Sequence, residues 1–223
     1  MTTTARRYIG PPLLLPATSY VALFVASLAL GGAVGAFSTP TTSAADVVAH
    51  ALDHPGAAQF VSVIQLGAAV ALGVFTATTT SAVAARGIDV AGLQIARLGG
   101  YGASILLAMS AVCGWCTVEL AQIGATDAAK ATSLLAFATG GPAHVVFLGL
   151  LLAGISVPTL IAGLVPRWIS ILGLVLAGVA ALSSLSFAIS PLQFLLPIVR
   201  FPSMIWILAI AATLLSHTDN ESR

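Results

Sequence analysis

Charged residues divide this chain on the scale of whole helices rather than of single helical turns. Eight basic and seven acidic residues leave six stretches with no charge at all: Tyr8 to Ala45, His54 to Ala85, Leu98 to Val118, Ala131 to Pro166, Trp168 to Val199 and Phe201 to Thr218. A helix rises about 1.5 Å per residue, so about 20 apolar residues cross a hydrocarbon core about 30 Å thick. Each stretch is about that long or longer. The pattern predicts an all-α, polytopic bundle of six transmembrane helices at about 13–37, 58–84, 98–120, 143–165, 168–189 and 192–215.

Turn residues refine this picture. Gly140-Gly141-Pro142 interrupts the fourth run, which is too long for one perpendicular span. Proline suits the first turn of a helix, where its missing N–H would have no partner. A short segment near Ala128 to Thr139 followed by a span from Pro142 or Ala143 is therefore expected, with one kinked helix as the alternative. Between the fifth and sixth spans only Ser190-Pro191 remains, which predicts a tight antiparallel hairpin. In the first loop, Thr42-Ser43 and Pro55-Gly56 bracket a short amphipathic helix from Ala44 to His54. Ala44, Val47, Val48, Ala51 and Leu52 share one face and Asp46, His50, Asp53 and His54 the other. Lying at the membrane interface with its polar face in water would suit it.

Composition excludes more than it proposes. With 58% hydrophobic residues and a mean hydropathy of +1.05, the spans consume most of the chain, and residues 1–223 read as one integral membrane domain. A net charge of +1 provides no basic field for nucleic acid, so membrane lipids are the expected surroundings. Arg6, Arg7, Arg86, Arg97, Arg167 and Arg223 fall on one side of the six spans, with Lys130 and Arg200 toward the other. Both termini are then cytoplasmic by the positive-inside rule. Arg6 and Arg7 ahead of Ala33-Val34-Gly35-Ala36 also resemble a secretory leader, but an apolar run from Leu13 to Phe37 exceeds the usual 7–15 residues and reads as an uncleaved first span. Arg-over-Lys usage and abundant Ala, Gly, Val and Leu suit the cytoplasmic membrane of a bacterium. Small residues at Gly31/Gly35, Ala29/Ala33 and Gly173 to Gly178 have helix-packing spacing, inside the bundle or in a homo-oligomer.

Arg200 is the side chain most in need of a reason, since charge within a bilayer is costly. It lies about eight residues, or about 12 Å, past the start expected for the sixth span, with Pro197 and Pro202 on either side. Either it snorkels to the outer head groups, or it faces the bundle, meets Glu119 from the third span, and closes an outward-facing polar pocket with His144. Asp46, His50 and His54, at i, i+4 and i+8, form a candidate divalent-metal set; a solvated helix face explains the same residues. Cys113-Gly114-Trp115-Cys116 has thiol-redox spacing, but at the C-terminal part of a span, where the helix dipole opposes thiolate formation and no second cysteine pair exists for relay. No phosphate loop, dinucleotide fingerprint, nucleophile elbow or zinc-protease pair occurs, and a single in-span histidine does not suit haem, so no cofactor is expected.

The turn Val165-Pro166-Arg167-Trp168-Ile169 followed by Gly173, and a last span in which Pro197 precedes Trp206, resemble a family of six-span bacterial integral membrane proteins of unknown function. The resemblance covers mainly the last sixty residues. It implies the six-span architecture and no particular activity. Members tend to carry an acidic residue six positions before the tryptophan, where this chain has Arg200, so the charge is kept with its sign inverted. The expected role is non-enzymatic, as a ligand-binding, transport-related or scaffolding protein for an unidentified small molecule. The rivals are a thiol oxidoreductase using Cys113 and Cys116 and a metal-binding protein using the first loop. Reporter fusions at Asp46 and Arg223 are expected to report opposite sides of the membrane; the same side for both would overturn the span assignment.

Overall fold

The computed structural model describes residues 10–220, with side chains described through residue 214, so Arg6, Arg7 and Arg223 lie outside it. The described residues are helical with no strands, and six helical stretches are long and apolar enough to cross a membrane: Leu14–Ala33, Pro55–Ala85, Ala91–Gln122, Thr126–Ala162, Arg167–Phe187 and Ser190–Leu214. Between a third and a little over half of each stretch is buried inside the protein, and the remainder turns apolar side chains such as Val70, Ile105, Ile161 and Ile205 outward. A helix apolar on every side suits lipid, not water. This is a multi-pass membrane protein.

Helix α1 (Leu14–Ala33) ends four residues before Phe37, the end expected from hydropathy. Gly35 adopts φ of 65°, a conformation that favours glycine. The Ala36 N–H then turns back to the Gly31 carbonyl at 2.8 Å. Phe37 folds its ring onto Gly31, so the Gly31/Gly35 pair caps a helix instead of joining two. Ala29 and Ala33 stay exposed, and Gly178 has open space around it.

Helix α2 (Ala44–Asp53) forms as the loop pattern predicts, its start fixed by the Asp46 N–H donating to the Ser43 hydroxyl at 3.1 Å. Part of its apolar face is spent on protein. Val47 and Ala51 are buried, and Ala51 joins a small apolar cluster with Ala58, Val118, Ala121 and Ala129, so α2 roofs one end of the bundle. Helix α3 (Pro55–Ala85) fills its charge-free stretch, and α4 (Ala91–Gln122) runs past its own at both ends. Arg97 sits inside α4 without ending it, because its Nε–H reaches the Thr80 hydroxyl at 3.4 Å.

The fourth run is not split. Helix α5 (Thr126–Ala138) continues through a π-helical turn at Thr139–Ala143 into α6 (His144–Ala162). Pro142 cannot donate to the carbonyl four residues back and would crowd it in a regular α-helix. Widening the turn relieves that crowding, and the chain stays helical. The His144 N–H then donates to the Thr139 and Gly141 carbonyls, bypassing Gly140. Gly163, with φ of 64°, ends α6.

Helix α7 (Arg167–Ser183) and helix α8 (Leu195–Asn220) form the expected hairpin, joined through 3-10 turns at Ser184–Phe187 and Ser190–Phe194. The Trp206 indole N–H donates to the Ile169 carbonyl at 2.9 Å, and its ring packs over Gly173. Each span packs chiefly on its neighbours in sequence, and α8 returns to α1, closing a ring through its thinnest seam.

Helices α4 and α6 come almost into backbone contact in this ring. A Cβ on Gly99 would meet the Leu151 backbone nitrogen, and one on Gly154 would fall 2.5 Å from the Ala96 nitrogen. Without a hydrophobic drive between helices in lipid, such backbone proximity supplies the packing contact. Gly99→Val and Gly154→Val are each expected to destabilise the detergent-purified protein by at least about 1–3 kcal/mol. Gly178→Ala, at the open position, is expected to be neutral within about 0.5 kcal/mol. Thermal unfolding of the three variants checks this, and a tolerated Gly154→Val would remove the crossing from its central place.

Candidate functional site

A cavity of about 310 Å³ lies inside the ring beneath α2. That is at the lower end of the range for small-molecule sites. Its walls come from α1 (Phe24, Ser27, Leu28), α3 (Val61, Ser62, Gln65), α4 (Leu107, Ser110, Val118), α5 with the π-turn (Ser133, Phe137, Gly140) and α8 (Leu196, Arg200). Val47, His50 and Ala51 of α2, with Phe37 and Thr39 of the preceding loop, line the roofed end. Lys130 ties that loop down by donating to the Pro40 carbonyl at 3.2 Å.

Arg200 faces the bundle, as one of the two sequence readings required, but it does not pair with Glu119. Its Nη2 donates to the Gly140 carbonyl, which the π-turn has released from the His144 N–H. The guanidinium carbon stands 5.3 Å from the centre of the Phe24 ring, within the range of a cation–π contact. Its Nε is buried and has no acceptor, and among the described residues no carboxylate forms an ion pair with it. Glu119 is occupied elsewhere: the Gln59 amide donates to its Oε1 at 2.7 Å near the roofed end. A charge count along the chain offers only carboxylates as partners for an arginine. The backbone carbonyl that wins here comes from a turn whose geometry the sequence does not display.

His144 is fully buried and does not line the cavity. It lies behind Phe24, stacked on that ring at 6.3 Å between centroids and 13° between planes. Its Nδ1 sits 2.9 Å from the Ala103 carbonyl. A carbonyl only accepts, so Nδ1 carries the hydrogen, and Nε2, which has no partner, presents a lone pair. Tyr20, one turn before Phe24, packs on the same ring at 5.7 Å and also keeps an unpartnered hydroxyl. Three buried polar atoms, from Tyr20, His144 and Arg200, therefore belong to side chains gathered around one phenylalanine. Buried polar atoms are usually paired, so three exceptions around one ring call for an explanation.

Asp46, His50 and His54 do not converge. Asp46 accepts from the Ser43 hydroxyl at 2.7 Å, His50 lies at the cavity end against Gly35, and His54 is 3.7 Å from Asp53 in solvent. Among the described residues no group of three His, Cys, Asp or Glu side chains is arranged to hold a metal ion. Cys113 and Cys116 are free, half-buried thiols one turn apart on α4, and neither lines the cavity although Gly114 between them does. Gln65 escaped the sequence reading. Its amide donates to the Ser110 hydroxyl at 3.0 Å, which in turn donates to the Ala136 carbonyl at 2.8 Å. An amide in mid-span was the available signal, because polar groups in lipid seek partners. No family model, curated protein or solved structure matches the chain.

Since Arg200 and Glu119 share no partner, their effects on stability are expected to add. Arg200→Ala strands the Gly140 carbonyl and should cost about 1–3 kcal/mol, whereas Glu119→Ala removes a half-buried contact worth about 1 kcal/mol. Unfolding of the double variant should match the sum within about 0.5 kcal/mol. A coupling well above that would restore the direct pair.

Proposed function

We propose that this protein is a non-enzymatic, ligand-binding and transport-related protein of the bacterial cytoplasmic membrane, taking a small organic anion into the cavity beneath α2 from the outer side. The observation that carries this reading is Arg200: a permanent cation inside the helix bundle, bordering a cavity, held by one carbonyl and by no carboxylate. Placing a charge at membrane depth costs about 2.5–3.5 kcal/mol even on the mildest scale. A role limited to clamping α8 to the π-turn would be served by a neutral donor at lower cost. Outward sidedness rests on the arginine distribution. The resemblance to six-span bacterial proteins supports the setting and leaves the activity to this site.

A charge-selective thiol reaction tests the reading without knowledge of the ligand. Ser133→Cys places a thiol in the cavity wall, in a background where Cys113 and Cys116 are alanine. In right-side-out vesicles, the anionic sulfonatoethyl methanethiosulfonate is expected to outpace its cationic trimethylammonium counterpart by about tenfold, each rate normalised to a free thiol in solution. Arg200→Lys should keep the preference and Arg200→Gln should abolish it. Equal normalised rates in the Arg200 protein would overturn the anion site.

A further inference from the structure

We infer that the ligand of this cavity is an amphiphilic monocarboxylate, its carboxylate held by the Arg200 guanidinium and its apolar remainder extending toward α2. This inference rests on the anion-binding reading above and narrows it to one chemical class.

Charge sets the first limit. Arg200 is the one Lys or Arg among the cavity residues, and the other ionisable side chain there, His50, belongs to the roofed end. One fixed positive charge neutralises one negative charge. A phosphate monoester, close to doubly charged at neutral pH, would leave an uncompensated charge out of water, where its desolvation is costly. Dicarboxylates fail for the same reason.

Donor geometry sets the second. A guanidinium has five N–H donors in one plane, and within this chain Arg200 commits one nitrogen, Nη2, to the Gly140 carbonyl. Nε is enclosed by the chain itself, so the fork open to a ligand is formed by the terminal nitrogens Nη1 and Nη2. A planar two-oxygen group accepts two parallel hydrogen bonds from such a fork, and this pairing is stronger and more selective than a point-charge contact. Among the polar side chains nearby, the hydroxyls of Ser62 and Ser133 can add a donor to the same anion, whereas two others are committed within the chain. Ser110 spends its hydroxyl hydrogen on the Ala136 carbonyl, and Gln65 directs its amide at Ser110.

The walls set the third. Between Arg200 and the roof the surface is largely apolar, formed by Phe24, Leu28, Val61, Leu107 and Val118, and α2 closes it with Val47 and Ala51. Apolar surface taken from water contributes about 25 cal/mol per Å², so a hydrocarbon tail adds affinity here. A second charged head would meet no second Lys or Arg in the cavity lining, since Lys130 holds the roof loop from outside it.

Protection of Ser133→Cys, with Cys113 and Cys116 as alanine, tests the class in phosphatidylcholine nanodiscs. The neutral methyl methanethiosulfonate is the labelling reagent. Hexanoate is expected to slow labelling by about tenfold at saturation, while hexanol, hexanedioate and hexyl phosphate at the same concentration stay within about twofold of the control. Arg200→Lys keeps the charge and loses the fork, so it should keep the preference for the anionic reagent and weaken protection by hexanoate. Oleic acid in the bilayer, without hexanoate, forms a second arm: protection by oleic acid alone assigns the source to lipid, and protection by hexanoate assigns it to water. Either result upholds the class. Equal protection by hexyl phosphate or hexanedioate, or by hexanol, would overturn it, as would no protection by either acid. The preference between charged reagents would then still report independently whether the anion site itself stands.

Discussion

The contact between the Arg200 guanidinium and the Gly140 carbonyl is the constraint on which the site depends. Backbone carbonyls within a bilayer have no water to turn to, so a carbonyl displaced from the helical ladder must be satisfied by protein. Pro142 creates that situation. It forces a π-turn in which the His144 N–H skips Gly140, and α8 answers with a side chain long enough to reach across. The arginine is thereby fixed toward the interior, and α8 is tied to the fourth span at the level of Phe24. Two residues further along α8 comes Pro202, followed by Ser203, whose hydroxyl donates to the Arg200 carbonyl at 2.8 Å.

The cavity exists because the ring is tight in one place and loose in another. Gly92, Gly99 and Gly154 bring α4 and α6 almost into backbone contact toward the end of the bundle remote from α2. At that end the core is filled by Leu93, Leu151, Ile155 and Ile207, all with at most 0% of their surface exposed. At the α2 end the seam between α1 and α8 is thin. A wedge of space opens there. Helix α2 covers it with Val47 and Ala51 of its apolar face.

The spans were legible because exclusion of charge from hydrocarbon is severe and acts residue by residue. Their ends were less so. Hydropathy carried the first helix to Phe37, while the chain turns at Gly35 because a positive φ and a ring folded onto Gly31 are favourable together. Arg97 seemed a boundary and is an interior residue of α4, since a long side chain can carry its charge to a hydroxyl on the next helix. Arg200 was legible as a residue requiring an explanation, and its inward direction was one of two open readings. Its partner was not legible, because the sequence displays carboxylates and hides which carbonyls are released. Small-residue spacing pointed to Gly31 and Gly35, while the α4–α6 crossing uses Gly99 and Gly154, whose distant positions meet only in the folded bundle.

Phe24 joins the frame to the site. One face of the cavity ends on this ring, with Arg200 beside it, and behind it lie His144 and Tyr20 with their unpartnered polar atoms. The ring touches both the cation and the buried imidazole and adds no polar group that would compete for the arginine. His144 itself stays outside the cavity lining. With Phe24 beside it, Arg200 stands as the one Lys or Arg on the cavity wall, and a polar defect in a helix bundle becomes a singly charged position in an apolar setting.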